Sequence, residues 1–110
     1  MKAEGVSLVL TTAPSITVAR RIVRAVLAKR LAACIHLSAC GESHYWWNGR
    51  IEKAEEIAMT FKTSRPRVEA LFTAIRAAHP YKIPELLELR ADGGSAAYLR
   101  WIGRETRLRR

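Results

Sequence analysis

Histidine and cysteine side chains are the groups of this chain best suited to bind a metal ion. The sequence has three histidines and two cysteines, and imidazole is a common ligand of copper and zinc. His79 stands directly before Pro80, where a helical pattern ends. There it can serve as a metal ligand, or it can interact with the last carbonyls of the helix, where a positive charge is favourable. His79 is therefore a candidate metal ligand, and the helix-terminal role is the alternative.

A second group of donors lies close together in the sequence. Cys40, Glu42 and His44 occupy positions i, i+2 and i+4, so a regular strand would place all three on one face. A bulge at Gly41 would separate them. The other possible companions, His36, Cys34 and Glu85, show no recognised metal-ligand spacing.

Motifs of enzymatic catalysis are missing from the sequence. It contains no GxSxG, P-loop, GxGxxG or HExxH pattern, each of which has a defined mechanical role in catalysis or cofactor binding. Gly93-Gly94 follows an aspartate and is typical of a turn. We therefore expect a protein that is not an enzyme.

The cysteines and the apolar runs bear on the cellular compartment. Six residues of strand between Cys34 and Cys40 span roughly 20 Å, whereas a disulfide needs Cα atoms within about 7 Å. Free thiols are typical of a reducing compartment. The first apolar run is too short for a signal peptide, and no run reaches the ~20 residues of a membrane span. These features predict a cytoplasmic protein without a membrane partner.

The net charge of +9 is compatible with an anionic partner. Residues 104–110 carry four arginines and one glutamate, and we expect them to form a disordered basic tail. A second basic cluster lies on one predicted helix: Arg20, Arg21, Arg24, Lys29 and Arg30. Such a run is either a solvated helix face or a nucleic-acid-binding patch. Nucleic-acid binding through this helix and the tail is the alternative function, although no aromatic platform accompanies the arginines.

Three consecutive aromatic residues, Tyr45, Trp46 and Trp47, directly precede Asn48-Gly49. Asn-Gly between apolar or β-branched runs is a strong signal of a two-residue hairpin turn. The first arm, about 50 Å if fully extended, is long compared with a radius of gyration of about 13 Å for a domain of this size. The hairpin tip should therefore project from the domain. Because exposed aromatic patches are rare on monomers, we predict that these three residues contact another copy of the chain.

The pairing of the two hairpin arms must shift by one residue somewhere along their length if their apolar faces are to match. A two-residue turn pairs Trp47 with Arg50, which would place Met59 opposite Ser38, away from the apolar residues of the first arm. A slip of one residue aligns the two apolar faces. We predict a β-bulge between Ala39 and Ser43, with Gly41 as the residue that provides it. A longer turn is the alternative.

The order of the predicted elements is β-α-β-β-α-β followed by a short helix. Ser15 and Ser95 are typical helix caps, and Ser64 with Pro66 opens the second long helix. The remaining boundaries are strands at Val6–Leu10 and Leu86–Arg90 and a last helix at Ala96–Ile102. This order predicts a single α+β domain, residues 1–103, of the ferredoxin-like type with a long hairpin between its second and third strands and a short C-terminal helix.

Several motifs together resemble the CutA family of divalent-cation tolerance proteins. They occur in order over residues 6–102: VLTTAPS, RLAAC, SHYWWNGRIE, FKT, HPYKIPE and YLRWI. The resemblance implies a ferredoxin-like subunit, a cytoplasmic homotrimer built by sheet pairing, and a role in the tolerance of copper and other divalent cations. Cu(II) or another divalent cation is thus the implied ligand.

The family motifs also contain a set of residues that could line a pocket between subunits: Cys34, Lys62, Tyr81, Glu85, Tyr98 and Trp101. Lys and Glu are rarely buried unless paired, which favours a pocket. The alternative is structural, with Glu85 pairing with Lys62 and the aromatic rings packing together.

In some family members a cysteine replaces Thr11 and a histidine replaces Ala78, and those positions have been linked to copper. Of that set only His79 remains here, which weakens this route to copper binding. The usual Pro-Gly of the family is Ala39-Cys40 here, in the segment where we predict the bulge.

Overall fold

Residues 5–107, which a computed structural model describes, form a four-stranded antiparallel sheet and three α-helices. The elements follow the predicted order: β1 (Val6–Ala13), α1 (Ile16–Ala28), β2 (Cys34–Trp47), β3 (Arg50–Ser64), α2 (Val68–Ala78), β4 (Leu87–Arg90) and α3 (Ala96–Glu105). The strand order in the sheet is β2-β3-β1-β4. This is the ferredoxin-like α+β arrangement expected from the sequence. None of the helices in this part of the chain is long and apolar enough to cross a membrane.

The helix boundaries follow from local chemistry at the ends. The Ser15 hydroxyl accepts a hydrogen bond from the Val18 amide at 3.2 Å, and the Ser95 hydroxyl accepts one from the Tyr98 amide at 3.3 Å. These bonds satisfy amides that have no partner inside the helix. Both predicted caps are confirmed. A 3-10 turn, Arg65–Arg67, with Pro66 in it, leads into α2.

The last helix is longer than the sequence suggested. It continues to Glu105 rather than ending at Ile102, so the predicted disordered tail does not begin at residue 104. Thr106 is 1% exposed, and its hydroxyl shares a hydrogen bond of 2.8 Å with Ser64. A salt bridge of 3.2 Å between Arg30 and Glu105 also holds this end. Residues 108–110 of the predicted tail lie outside the described residues, as do residues 1–4 of the predicted domain.

The main core lies between the sheet and helices α1 and α2. Alternate residues of β1 and β3 point toward these helices, and Val9 pairs with Phe61 at the centre, where both are fully buried. Ile22 of α1 and Leu71 of α2 are buried against this face. Because side chains alternate along a strand, Val6 points to the opposite face, where it packs with residues of α3.

The hairpin confirms the predicted turn and moves the predicted bulge. Asn48 and Gly49 both have positive φ, 50° and 74°, as a two-residue turn of this type requires. The register shifts between Leu37 and Cys40. The one-residue slip is therefore present, but it lies at Ser38-Ala39, and the prediction that Gly41 provides it is wrong because Gly41 pairs regularly with Glu56.

A side chain explains why the bulge lies at Ser38. Its hydroxyl accepts a hydrogen bond of 2.9 Å from the Ala58 amide, in the stretch where the ladder is interrupted. A bulge disrupts the ladder locally, so the Ala58 amide needs an acceptor other than a cross-strand carbonyl, and glycine has no side chain to supply one. The shift places Leu37 opposite Met59 and Ile35 opposite Phe61, so the apolar faces of the two arms coincide.

We predict that Ser38→Ala weakens the fold. The change leaves the Ala58 amide without its acceptor and should lower the free energy of unfolding by about 1 kcal/mol. Denaturant unfolding followed by circular dichroism measures the effect. Ser43→Ala is the control, because Ser43 lies on the same strand and its hydroxyl has no hydrogen bond among residues 5–107. Equal losses in the two variants would contradict the role given to Ser38.

Candidate functional site

A cleft of about 680 Å³ lies between the hairpin and the loop that connects α2 to β4. The hairpin continues past the end of β1, where Ala13 pairs with Ile57, so residues 50–56 of β3 pair only with β2. The loop at residues 80–85 lies beside this extension of the hairpin and forms the other wall of the cleft. The lining combines aromatic, acidic and small polar residues: Thr12, Ser43, His44, Tyr45, Trp47, Glu52, Glu56, Pro80, Tyr81, Lys82, Ile83 and Glu85.

The Glu56 carboxylate joins the loop to the sheet at the floor of this cleft. Its Oε2 atom accepts one hydrogen bond from the Thr12 hydroxyl at 3.1 Å and another from the Tyr81 hydroxyl at 3.0 Å. Burial raises the pKa of Tyr81 to about 12, and the hydrogen bond to the negative Glu56 acts in the same direction. The phenol of Tyr81 is thus a proton donor to the carboxylate at neutral pH.

His79 positions the start of the same loop. It is 8% exposed, and its Nε2 atom lies 2.6 Å from the carbonyl oxygen of Thr12. The Tyr81 amide donates a hydrogen bond of 3.1 Å to Nδ1. Together these bonds assign the tautomer, with the proton on Nε2 and the lone pair of Nδ1 already used.

The prediction of His79 as a metal ligand therefore conflicts with its hydrogen bonds. A metal ion needs a free imidazole lone pair, and neither nitrogen of this ring has one. The alternative of a bond to helix carbonyls is also incorrect in detail, since the acceptor is a carbonyl of strand β1. His79 ties the loop to the sheet instead.

Some of the six residues predicted to line a pocket between subunits lie at the other end of the sheet. The Lys62 ammonium lies 3.3 Å from the Tyr98 hydroxyl, and the Tyr98 ring stacks on Trp101 with centroids 5.6 Å apart. Cys34 pairs with Lys62 across β2 and β3. Six residues of β3 separate Lys62 from Glu56, a distance of roughly 20 Å.

Within one chain, the six predicted pocket residues thus fall into two groups. Cys34, Lys62, Tyr98 and Trp101 belong to the end covered by α3, whereas Tyr81 and Glu85 line the cleft. The proposed pairing of Glu85 with Lys62 is not formed, since no salt bridge joins them in the described part of the chain. A single pocket containing all six would require a second copy.

The Cys40, Glu42 and His44 trio remains on one strand face, because the bulge precedes Cys40 and the pairing from Cys40 to Trp47 is regular. His44 Nε2 lies 3.2 Å from a Glu42 carboxylate oxygen, and both side chains are about half exposed. Among residues 5–107, however, no group of three or more His, Cys, Asp or Glu side chains is placed to hold a metal ion. Within residues 5–107 of a single copy, the donors therefore do not fit a resident metal ion.

The basic cluster is partly structural, and two of its members, Lys29 and Arg30, lie just after the end of α1. The Arg21 guanidinium donates a hydrogen bond of 2.9 Å to the carbonyl of Ala78 at the end of α2. Arg30 donates to both the backbone and the carboxylate of Glu105. Two of the five basic residues thus make contacts within the protein, and the Glu105 carboxylate offsets the charge of Arg30.

Sequence reasoning missed Glu52, Glu56 and Thr12 as members of the site. The hairpin register contains part of the signal, since it pairs Tyr45 with Glu52 and so places an acid beside an aromatic ring. The approach of the loop to Glu56 has no local signal, because Tyr81 and Glu56 are 25 positions apart in the chain.

Tyr81→Phe tests whether the Tyr81 hydroxyl keeps its proton and donates a hydrogen bond to Glu56 in the cleft. The folded-state pKa of about 12 lies above the ordinary value of 10.0, so the proton stabilises the folded state below pH 10, and that stabilisation is lost as the pH rises through 12. We expect the variant to lose roughly 1 kcal/mol of stability near neutral pH. Ultraviolet titration should show a tyrosine that ionises near pH 12 in the wild type and in the Tyr45→Phe control but not in Tyr81→Phe. Its persistence in Tyr81→Phe would contradict the assignment.

Comparison with known proteins agrees with this architecture. The model of the family described as CutA1 divalent ion tolerance protein matches residues 7–105. Protein CutA of Mus musculus is 41% identical over 102 residues, which are 93% of this chain and 58% of the mouse protein. The divalent-cation tolerance protein CutA of Pectobacterium atrosepticum is 38% identical over 99 residues, or 90% of each chain. The chain thus spans little more than half of the mouse relative and most of the bacterial one.

Solved structures show the same fold along nearly the whole length. CutA from Xylella fastidiosa superposes with a TM-score of 0.91 at 36% identity, covering 94% of this chain and 99% of that one. A CutA from Archaeoglobus fulgidus, described as a periplasmic divalent cation tolerance protein, gives 0.89 at 32% identity, covering 93% and 99%. From the family match and these relatives, the chain belongs to the CutA1 family of divalent ion tolerance proteins.

Proposed function

We propose that this protein is a homotrimeric, non-catalytic divalent-cation tolerance protein that acts in the cytoplasm and responds to copper. A metal ion or a small ligand binds where the copies of the chain meet. The family match supports the link to divalent cations. The observation that carries the assembly is the exposed apolar surface described next.

The hairpin tip is strongly apolar and open to solvent in the single chain. Trp46 is 71% exposed, the paired Ile51 is 67% exposed, and Trp47 is 51% exposed. A stable soluble protein rarely leaves such a patch uncovered. Association with further copies of the chain would bury it.

A second apolar surface lies on the sheet face that α1 and α2 leave open. Leu87 and Leu89 of β4 are 55% and 50% exposed, and they pair with Leu10 and Leu8 of β1. The solvated face of an antiparallel sheet is normally polar. Leucines at these positions favour a packed face between copies, and the number of three copies rests on the likeness to the CutA family.

The metal part of the proposal needs donors from more than one copy. His79 has no free nitrogen, and no three donors among residues 5–107 of one copy are placed to hold a metal ion. His44 and Glu42 form the remaining close pair on the hairpin, near the apolar tip. Imidazole and carboxylate both suit Cu(II), and additional donors would come from a neighbouring copy.

Native mass spectrometry tests the assembly, with a trimer as the expected species. Trp46→Glu should weaken the trimer at least about tenfold, since it places a charge in the centre of an apolar contact. Leu27→Glu is the matched control, because Leu27 is 46% exposed on α1, away from the hairpin. A monomeric wild type, or equal weakening by both variants, would overturn the assembly.

The same measurement with stoichiometric Cu(II) tests the metal, and the three histidines provide a complete set of variants. Saturable copper uptake that His44→Ala lowers and His36→Ala does not is the expected result. His79→Ala should keep copper uptake but lose stability, because it breaks two hydrogen bonds of the loop. Loss of copper only in His79→Ala would disprove the placement of the donors, and a trimer without copper would disprove the copper response alone.

A further inference from the structure

Three elements that are distant in sequence bring cationic side chains to one end of the domain. They are the end of α1, the 3-10 turn that leads into α2, and the last turn of α3 with the residue that follows its cap. Each carries at least one arginine or lysine at this end. We call these five side chains the basic pole: Lys29, Arg30, Arg67, Arg104 and Arg107.

Polar contacts fix the three elements next to one another. Arg30 lies 3.2 Å from the Glu105 carboxylate, which joins the end of α1 to the end of α3. Ser64, directly before the 3-10 turn, shares a hydrogen bond of 2.8 Å with Thr106. The Thr63 hydroxyl donates a hydrogen bond of 2.7 Å to the backbone carbonyl three residues after α1. The basic pole is therefore a defined part of the folded domain.

The acids on these elements do not balance the charge of the basic pole. One carboxylate, Glu105, is shared by Arg30 and Arg104, at 3.2 and 3.6 Å. The other three cations of the pole form no ion pair among residues 5–107. The first turn of α2 adds Glu69. Five cations are thus accompanied by two carboxylates on the same elements.

Half of the acids of the chain lie at the opposite end of the molecule. Strand β3 runs from the hairpin turn to Ser64, beside the basic pole, and the molecule is 44 Å long. Of ten acidic residues, five lie on the hairpin or on the loop beside it: Glu42, Glu52, Glu55, Glu56 and Glu85. This separation of charge leaves a positive potential at the basic pole, which attracts anions.

The basic pole lies outside the surfaces that the proposed assembly buries. Those surfaces are the hairpin tip and the open sheet face around β4. Lys29 and Arg67 instead belong to the ends of the helix layer on the other face, and Lys29, Arg104 and Arg107 are exposed. An external partner can therefore reach the pole in a single copy and in the assembly.

The composition of the basic pole favours phosphate groups on a regular backbone. Four of the five cations are arginines, whose planar guanidinium can donate two parallel hydrogen bonds to one phosphate. Membrane-surface binding needs several apolar side chains for insertion, and Leu27 is the one exposed large apolar residue of the described chain within two positions of the pole. None of the five residues is aromatic, so the pole provides no platform for stacking unpaired bases.

We propose that the basic pole binds the phosphate backbone of double-stranded DNA without regard to sequence. Phosphate contacts position a protein on a duplex and carry no sequence information, which suits a surface made of cations alone. A duplex carries one negative charge per about 1.7 Å of its axis, so it presents several phosphates to a molecule that measures 28 by 23 Å across its long axis. The inference goes beyond the proposed function and depends neither on copper nor on the number of copies.

Fluorescence anisotropy with a labelled DNA duplex about two helical turns long tests the proposal on the full chain. The logarithm of the binding constant should fall with the logarithm of the salt concentration, by roughly 0.9 for each phosphate contact. Duplexes of different sequence should bind equally. Lys29→Gln and Arg107→Gln should each weaken binding severalfold and lower the steepness of the salt dependence by about one.

Arg20→Gln is the matched control, because it removes one positive charge from an exposed position on α1, about 14 Å along the helix from Lys29. Its affinity for the duplex should equal that of the wild type. A loss as large as that of Lys29→Gln would move the site to the face of α1 and overturn the basic pole.

Two further probes separate the duplex from other anionic partners. Phosphatidylserine vesicles represent a membrane surface, and polyglutamate represents negative charge without phosphate. Tighter binding of the vesicles than of the duplex, or equal binding of polyglutamate, overturns the proposal. Failure to bind the duplex at about 0.05 M salt also overturns it, and leaves the proposed trimer and its copper response untouched.

Discussion

The bulge at Ser38-Ala39 is the constraint on which the rest of the structure depends. One extra residue in β2 reverses which side chains face which side of the sheet. Before the bulge, the register places Ile35 and Leu37 against the core with Phe61 and Met59. Beyond it, the same strand presents Tyr45 and Trp47 on the face that borders the cleft. A straight, unbulged strand could satisfy the core or the cleft but not both, because side chains alternate with a period of two. The Ser38 hydroxyl stabilises the interrupted ladder by accepting a hydrogen bond from the Ala58 amide.

The loop after α2 is the other half of the cleft, and polar bonds tie the start of this loop to the sheet. His79 links it to the backbone of β1, and Tyr81 links it to Glu56. Using both nitrogens of His79 in this way gives the loop a defined position, and it removes the imidazole from metal chemistry. Thr11, where some family members have a cysteine, is 1% exposed within the core face. Of the positions linked to copper elsewhere in the family, His79 thus has a structural role in this chain and Thr11 is buried, which shifts attention to the hairpin and the cleft.

Much of the fold was predictable because its signals are local. The caps at Ser15 and Ser95, the Asn48-Gly49 turn and the apolar stripes of α1 and α2 involve residues at most a few positions apart. The need for a register slip was also predictable, since it follows from two apolar patterns that must meet. The predicted position is wrong because a glycine is not required for a bulge: here the Ser38 hydroxyl replaces the missing acceptor of the Ala58 amide, and that bond sets the position. The end of α3 was misplaced because Arg30 and Ser64, distant in sequence, hold its last turn.

The sequence by itself therefore determined the order of the elements, the projecting hairpin and the exposed aromatic tip, together with membership of a family with recognisable motifs. Only the tertiary structure decided which polar groups meet. The bond between His79 and Thr12 joins residues 67 positions apart, and that between Tyr81 and Glu56 joins residues 25 apart. Such contacts depend on the packing of the whole sheet and its helices, which no local periodicity encodes. The same packing divided the predicted pocket in two and gathered three carboxylates, two of them not predicted, into one cleft of a basic protein.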